Sequence, residues 1–291
     1  MIFLKKFILI LIILVIVFSP INTQDTSAGS GTSEDPYVIS SFSELEKIGE
    51  PGGKYPLDAH YILGRSIDAS ITRDENYKEG RGWQPIGSSD DQSPFTGSFD
   101  GRGFQIKNLN INRPGEERVG LFAETNGAVI KNLRLTEVSI RGGKYVGAVC
   151  GINKGTIHNV FLQGEIKGDF VTGGLAGWNY TGIIEQVLIR ASISGRYNLG
   201  GLVGRNSSGT ISHIHAQIQV GGDDRNIGGL VGYNTEYSTV ENTKTSGKVS
   251  GYERVGGVVG LNSGTVEDSS FSGEIAGDWM TGNLIGWDTT D

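Results

Sequence analysis

The chain has 291 residues, 46 of them Gly, with 37% hydrophobic and 20% charged. So low an apolar fraction excludes a thick globular core and suits a fold whose core is a thin column. The formal net charge of −7 leaves no basic excess to neutralise phosphates, which argues against nucleic acid as a partner.

Lys5-Lys6 precede an unbroken apolar run from Phe7 to Phe18, followed by Pro20 and a polar stretch through Asn22-Thr23-Gln24-Asp25. The run has the length of a signal-peptide core and is short for a bilayer span. Residues 1–28 therefore read as a signal peptide, with Ala28 one candidate cleavage site, or as an N-terminal anchor if uncleaved. Membrane contact is expected only through that segment, and no Cys follows it to carry a lipid. The product is expected to be secreted or held at the cell surface.

Residues 29–118 read as an N-terminal cap and the first coils. Asp35-Pro36-Tyr37-Val38-Ile39 is a strand, and Ser41-Phe42-Ser43-Glu44 is a capping box opening a short helix through Ile48. Tyr61-Ile62-Leu63 and Ile67 predict another strand. A polar, Gly-rich insertion runs from about Ser70 to Pro94, and Phe99-Asp100-Gly101 leads into Ile106, Leu109 and Ile111 as first-coil strands.

Residues 119–291 are repetitive. Gly201-Leu202-Val203-Gly204-Arg205-Asn206 recurs at 174–179, 229–234 and 257–262, more loosely at 148–153 and 121–126, and in part up to Asp288. The Asn of each copy is Asn126, Asn153, Asn179, Asn206, Asn234 or Asn262, a period of about 27 residues that marks a repeat architecture. A second block follows each Asn: Ile157, Val160, Leu162 and Ile166, then Ile184, Val187, Ile189 and Ile193, and so on, closed by Gly168, Gly195, Gly222, Gly251 and Gly277. Steps of two predict strand, and the step of three from Ile157 to Val160 predicts a bend. The fold class is all-β, a parallel β-helix or solenoid whose strands stack about 4.8 Å apart from coil to coil. The handedness, and the inward face of the Gly-Leu-Val-Gly strand, stay open. The six Asn are expected to form one hydrogen-bonded ladder. The glycines permit positive φ or close backbone approach. Cys150, the single cysteine, shares a slot with Ala123, Ala176, Val203, Val231, Val259 and Ile285, which makes it a small hydrophobe rather than a nucleophile.

The Gly-Gly-Leu-Val-Gly-x-Asn copies at 200–206, 228–234 and 256–262 resemble the GLUG motif. Gly-Ser-Gly-Thr with Asp-Pro-Tyr at 29–37, and Phe-Asp-Gly-Arg-Gly at 99–103, are similar to its usual N-terminal companion. The resemblance implies an exported, adhesin-like β-helical module of the kind also found in the non-catalytic part of immunoglobulin-A metallopeptidases. It supplies no catalytic residues.

The residues agree on that absence. Among His60, His158, His213 and His215 there is no His-Glu-x-x-His, and His213 with His215 is a weak pair, so no metal site is expected. The adjacent Asp pairs, Asp90-Asp91 and Asp223-Asp224, sit in predicted turns, where Asp makes local hydrogen bonds. No nucleophile has a partnered His, and no cofactor is implied. Asn179-Tyr180-Thr181 and Asn206-Ser207-Ser208 match the glycosylation sequon but belong to the ladder. The corners after the closing glycines pair an aromatic with a charge: Tyr145, Phe170, Tyr197, Tyr252 and Trp279 are the candidate ligand-contact stripe, for a surface glycan or a protein, with corner packing as the alternative. The expected function is an adhesion or binding module; the alternatives are a structural spacer or envelope scaffold, then a carbohydrate-active enzyme. The sequence stops at Asp291 in mid-coil, so Val266, Phe271 and Ile275 are expected to lie open at that end. A longer parent protein, or self-association there, would cover them.

Overall fold

The computed structural model describes residues 29–87 and 93–290, so the expected export segment and Asp90-Asp91 lie outside the described residues. Among those described, two parallel sheets of 14 and 13 strands run the length of the molecule. Ten strands, from Tyr37–Ile39 to Ile285–Asp288, follow one another in a single path through the larger sheet, which makes nine turns of solenoid.

One coil shows how the repeat makes this shape. Val203–Ser207 and Thr210–Ser212 belong to the larger sheet, and His215–Gly222 and Arg225–Gly228 to the smaller. The predicted bend falls between the second and third of these strands. Its residue takes a left-handed backbone in successive coils, at Asn132, Asn159, Gln186, His213, Asn242 and Asp268. A second left-handed column, Arg118, Tyr145, Val171, Asn198, Asn226, Arg254 and Met280, kinks the chain at the opposite corner. Val171 is β-branched and would avoid that region in isolation; stacked neighbours of the same conformation hold it there.

The motif glycines serve close approach, not positive φ. A Cβ on Gly204 would stand 2.5 Å from the Thr172 nitrogen and the Val171 carbonyl carbon, and one on Gly201 would stand 2.1 Å from the Gly229 oxygen. The Leu and Val between them, Leu202 and Val203, are both fully buried, so neither face of this segment looks to solvent. Inside, Leu162 stacks in register on Ile189, Ala216, Thr245 and Phe271, and Ile166 on Ile193, Val220, Val249 and Ile275.

The register corrects the first copy of the repeat. Asn153 pairs with Thr125, not Asn126, and Cys150 pairs with Phe122, not Ala123. Asn126 is exposed. The register shifts again between Lys154 and Thr156, because the Asn126-Gly127 turn, with Gly127 at φ 66°, holds one extra residue that bulges outward.

The N-terminal end is sealed by rings. Tyr37, Tyr55, Tyr61, Phe95 and Phe122 touch in a chain of aromatic contacts 4.7–6.0 Å apart. The capping box forms as expected: Ser41 Oγ accepts from the Glu44 amide at 3.2 Å, and the Glu44 carboxylate accepts from the Ser40 amide at 2.8 Å. The helix is shorter than predicted, Phe42–Glu46. The insertion is less polar in role than in composition. Trp83 is buried and its Nε1 donates to the Leu121 carbonyl at 3.1 Å, while buried Arg113 donates through Nε to the Trp83 carbonyl at 2.8 Å. At the other end Val266, Ile275, Leu284 and Ile285 are half-buried, but Phe271, expected to lie open, is covered at 8% exposure.

Candidate functional site

Three side-chain columns could serve a ligand: the Asn ladder, the aromatic corner and the outward face of the smaller sheet. The ladder is closed to solvent. Thr125 donates to Asn153 Oδ1 at 2.8 Å, and Asn153, Asn179, Asn206, Asn234 and Asn262 each donate through Nδ2 to the next Oδ1 at 2.8–3.1 Å, ending on Asp288. The same Nδ2 of Asn179 and Asn206 also donates to the Gly182 and Gly209 carbonyls, closing the turn in its own coil. The amides of both sequons are therefore buried and occupied at both ends.

The expected aromatic stripe divides. Phe170 pairs with Lys144 on one side and Tyr197 on the other, their rings 4.6 Å apart, and Trp279 extends the same column beyond Glu253. Tyr145 sits one residue further on, in the left-handed column, and Tyr252 one residue earlier, in the turn. Tyr145 stacks on Trp178 at 5.5 Å, and Arg205 lies between the Trp178 and Tyr233 rings at 5.5 and 5.4 Å. The hydroxyl of Tyr145, with Glu117 and Tyr197 adding, holds the Lys144 ammonium above its usual lysine range. In the middle coils each ring is thus engaged by a neighbour, whereas Tyr252 and Trp279 are 48% and 62% exposed. Trp178, Arg205 and Tyr233 fill the variable slot of Gly-Leu-Val-Gly-x-Asn; that aromatic and Arg run was the signal for them in the sequence.

The third surface was not anticipated. Where the strands starting at Phe161, Leu188, His215, Lys244 and Ser270 lie side by side, their outer face dips into a trough of about 730 Å³. Its floor is the inward column Gly164, Ala191, Ile218, Gly247 and Gly273, four of five small, which lets the backbone sink. Its sides carry Gln163, Arg190 and Gln217 on one edge and the column Glu165, Ser192, Gln219, Lys248 and Glu274 on the other. A second cavity of about 330 Å³, lined by Leu188, His215 and Lys244, continues it across Arg190 and Gln217.

No group of three His, Cys, Asp or Glu side chains converges on a metal position among the described residues. His213 stands in the left-handed bend and His215 on the strand, so they do not share a face as a pair would. Burial pushes the Cys150 thiol far up, which keeps it protonated.

Comparisons with known proteins agree with this architecture. The family model described as "The GLUG motif" matches residues 223–250 and 251–276. Halomucin of Haloquadratum walsbyi is 41% identical over 151 residues, 51% of this chain but 2% of that protein. A protein of Evansella cellulosilytica described as a candidate Gly-rich membrane protein is 32% identical over 168 residues, 55% of this chain and 18% of its own length. The chain thus spans only a small part of both curated relatives. A crystal structure of a candidate immunoglobulin A1 protease from Bacteroides ovatus superposes with a TM-score of 0.68 at 20% identity, over 86% of this chain and 79% of that one, a likeness of fold. Coils 223–276 thus carry two GLUG motifs within a chain wound as a parallel β-solenoid.

Proposed function

We propose that the chain is an exported, non-catalytic surface module that binds an extended ligand along the trough of the smaller sheet. The observation that carries this reading is the trough itself. It crosses five stacked strands, its floor is cleared by small residues, and the side chains along it are exposed amides, a hydroxyl, two cations and two carboxylates, Glu165 and Glu274, which stand on its first and last strands and do not converge. Such a lining makes many weak contacts in a row, which suits a polymer or a surface, and its two carboxylates, four coil steps or roughly 19 Å apart at about 4.8 Å per coil, are too distant to work as an acid–base pair. The surface assignment draws on the export-like N-terminal segment and on the halomucin and Gly-rich membrane protein relatives. The engaged rings of the corner column support a packing role there, with Tyr252 and Trp279 as accessory contacts.

The test is a glycan-array and surface pull-down experiment on the purified chain, repeated with Gln217→Trp, which would fill the trough from its edge. Binding by the parent chain that the Trp variant abolishes, with thermal stability unchanged, is the expected result. Retention of every captured ligand by the Trp variant would move the site elsewhere, and the absence of any ligand would favour a spacer or scaffold.

A further inference from the structure

Charge is distributed unevenly over the two sheets. The outer strand stretches 134–141, 161–167, 188–194, 215–221, 244–250 and 270–276 carry six Lys or Arg against three Glu, on a chain whose formal net charge is −7. The six are Arg134, Arg141, Lys167, Arg190, Lys244 and Lys248, all exposed. Arg141, Lys167, Arg190 and Lys244 have no carboxylate within ion-pair distance among the described residues, and Lys248 meets only the exposed Glu274, at 3.5 Å. The opposite sheet has the reverse sign: its outward positions in register include Glu185, Glu241 and Glu267. The smaller sheet is therefore a cationic face on an acidic protein, and the trough lies in it.

We infer that this trough takes an anionic polysaccharide, carboxylated or sulfated; the inference rests on the binding-module reading and names its ligand. Three observations select that chemistry. Arg190 and Lys248 line the trough and Lys244 the cavity that continues it, and with Arg134, Arg141 and Lys167 the cationic face extends over four coil steps, roughly 19 Å at about 4.8 Å per coil, which fits a chain of repeating charge and not one compact anion. Between them stand Gln163, Gln217, Gln219 and Ser192, groups that both donate and accept, as a hydroxyl-rich polymer requires, while the two carboxylates of the lining, Glu165 and Glu274, lie on its end strands, Glu274 paired with Lys248. The surface is concave and narrow, where a membrane needs a flat or convex face with inserted apolar side chains.

The experiment measures affinity of the full chain by calorimetry for polygalacturonate and dextran sulfate, with neutral dextran, duplex DNA and anionic phospholipid vesicles as comparators, at several salt concentrations. Binding to at least one of the two polyanionic polysaccharides is expected, weakening as salt rises. The pair Arg190→Glu with Lys248→Glu is expected to weaken it roughly tenfold or more, and the milder Arg190→Gln with Lys248→Gln less. Glu241→Lys with Glu267→Lys, on the opposite sheet, is expected to leave it within about twofold. Whichever polysaccharide binds tells carboxylate from sulfate recognition. Equal affinity for neutral dextran, lost in Gln217→Trp, would overturn the anionic inference and leave the binding module standing. DNA or vesicles bound as tightly as either polysaccharide would overturn it too, as would full binding by the Glu pair, and no binding to any probe would sink both readings.

Discussion

Asn206→Ala tests the ladder where it is most enclosed. The Asn206 side chain is fully buried; its Nδ2 donates at 3.0 Å to both Asn234 Oδ1 and the Gly209 carbonyl, and its Oδ1 accepts from Asn179 at 2.8 Å. Alanine leaves two buried acceptors without that donor, each costing about 1–3 kcal/mol, so the loss should total about 2–6 kcal/mol. For a domain of this size that corresponds to a fall in Tm of roughly 4–24 °C. Asn206→Asp should be at least as damaging, because it turns an acceptor toward two acceptors in a buried site. The control is Asn126→Ala. Counting from the repeat would make it equivalent, but its side chain is exposed and Thr125 holds the rung, so it should stay within about 0.5 kcal/mol. Scanning calorimetry with urea melts reads both. An Asn126→Ala loss as large as that of Asn206→Ala would refute the register and with it the account of the extra residue.

Thr243 occupies the inward slot held by Val160, Val187 and Ile214 in other coils, fully buried with its hydroxyl unpartnered; Thr243→Val should stabilise by about 1 kcal/mol, read as a higher urea midpoint. Gly204→Ala would drive a Cβ to 2.5 Å from backbone atoms that cannot swing aside, and should destabilise by about 3 kcal/mol or more; a melting point like that of the parent chain would contradict the packing described. Cys150 should resist thiol reagents in the native protein and react at once after denaturation. Asp68 accepts from Asn108 Nδ2 at 2.9 Å and from the Ser70 amide at 3.0 Å, and it also faces Lys107; Asn108 chiefly, then Ser70 and Lys107, lower its pKa to about 2. Its folded value lies below its unfolded one, so its contribution is complete above the ordinary carboxylate range and is lost as pH falls toward 2. Titration by NMR should find that midpoint, and Asn108→Ala should raise it.

The fold was legible in the sequence because stacking makes every coil repeat its neighbour. A column of buried amides needs Asn at one slot, as Asn179, Asn206 and Asn234 show, and a backbone crossing 2.5 Å from a missing Cβ needs Gly, as at Gly204. Such constraints recur at every turn and print themselves as a period. The first coil escaped because Asn126 imitates the motif while the extra residue in its turn shifts the true rung to Thr125. The aromatic corner was half legible: Phe170 and Tyr197 do share a column, but Lys144 holds that slot in the preceding coil and Tyr145, one residue on, is itself the left-handed residue, and spacing alone carries no sign of φ. The trough was not legible at all. Arg190, Gln217 and Lys248 lie on outward positions that no packing requirement repeats, and their neighbours along the chain say nothing of the coils above and below. By itself the sequence determined the period, the parallel stack and the inward columns, because burial imposes the same demand on every coil. Only the tertiary structure decided which exposed side chains stand together, because that depends on register between residues about 27 apart, which solvent leaves free to vary.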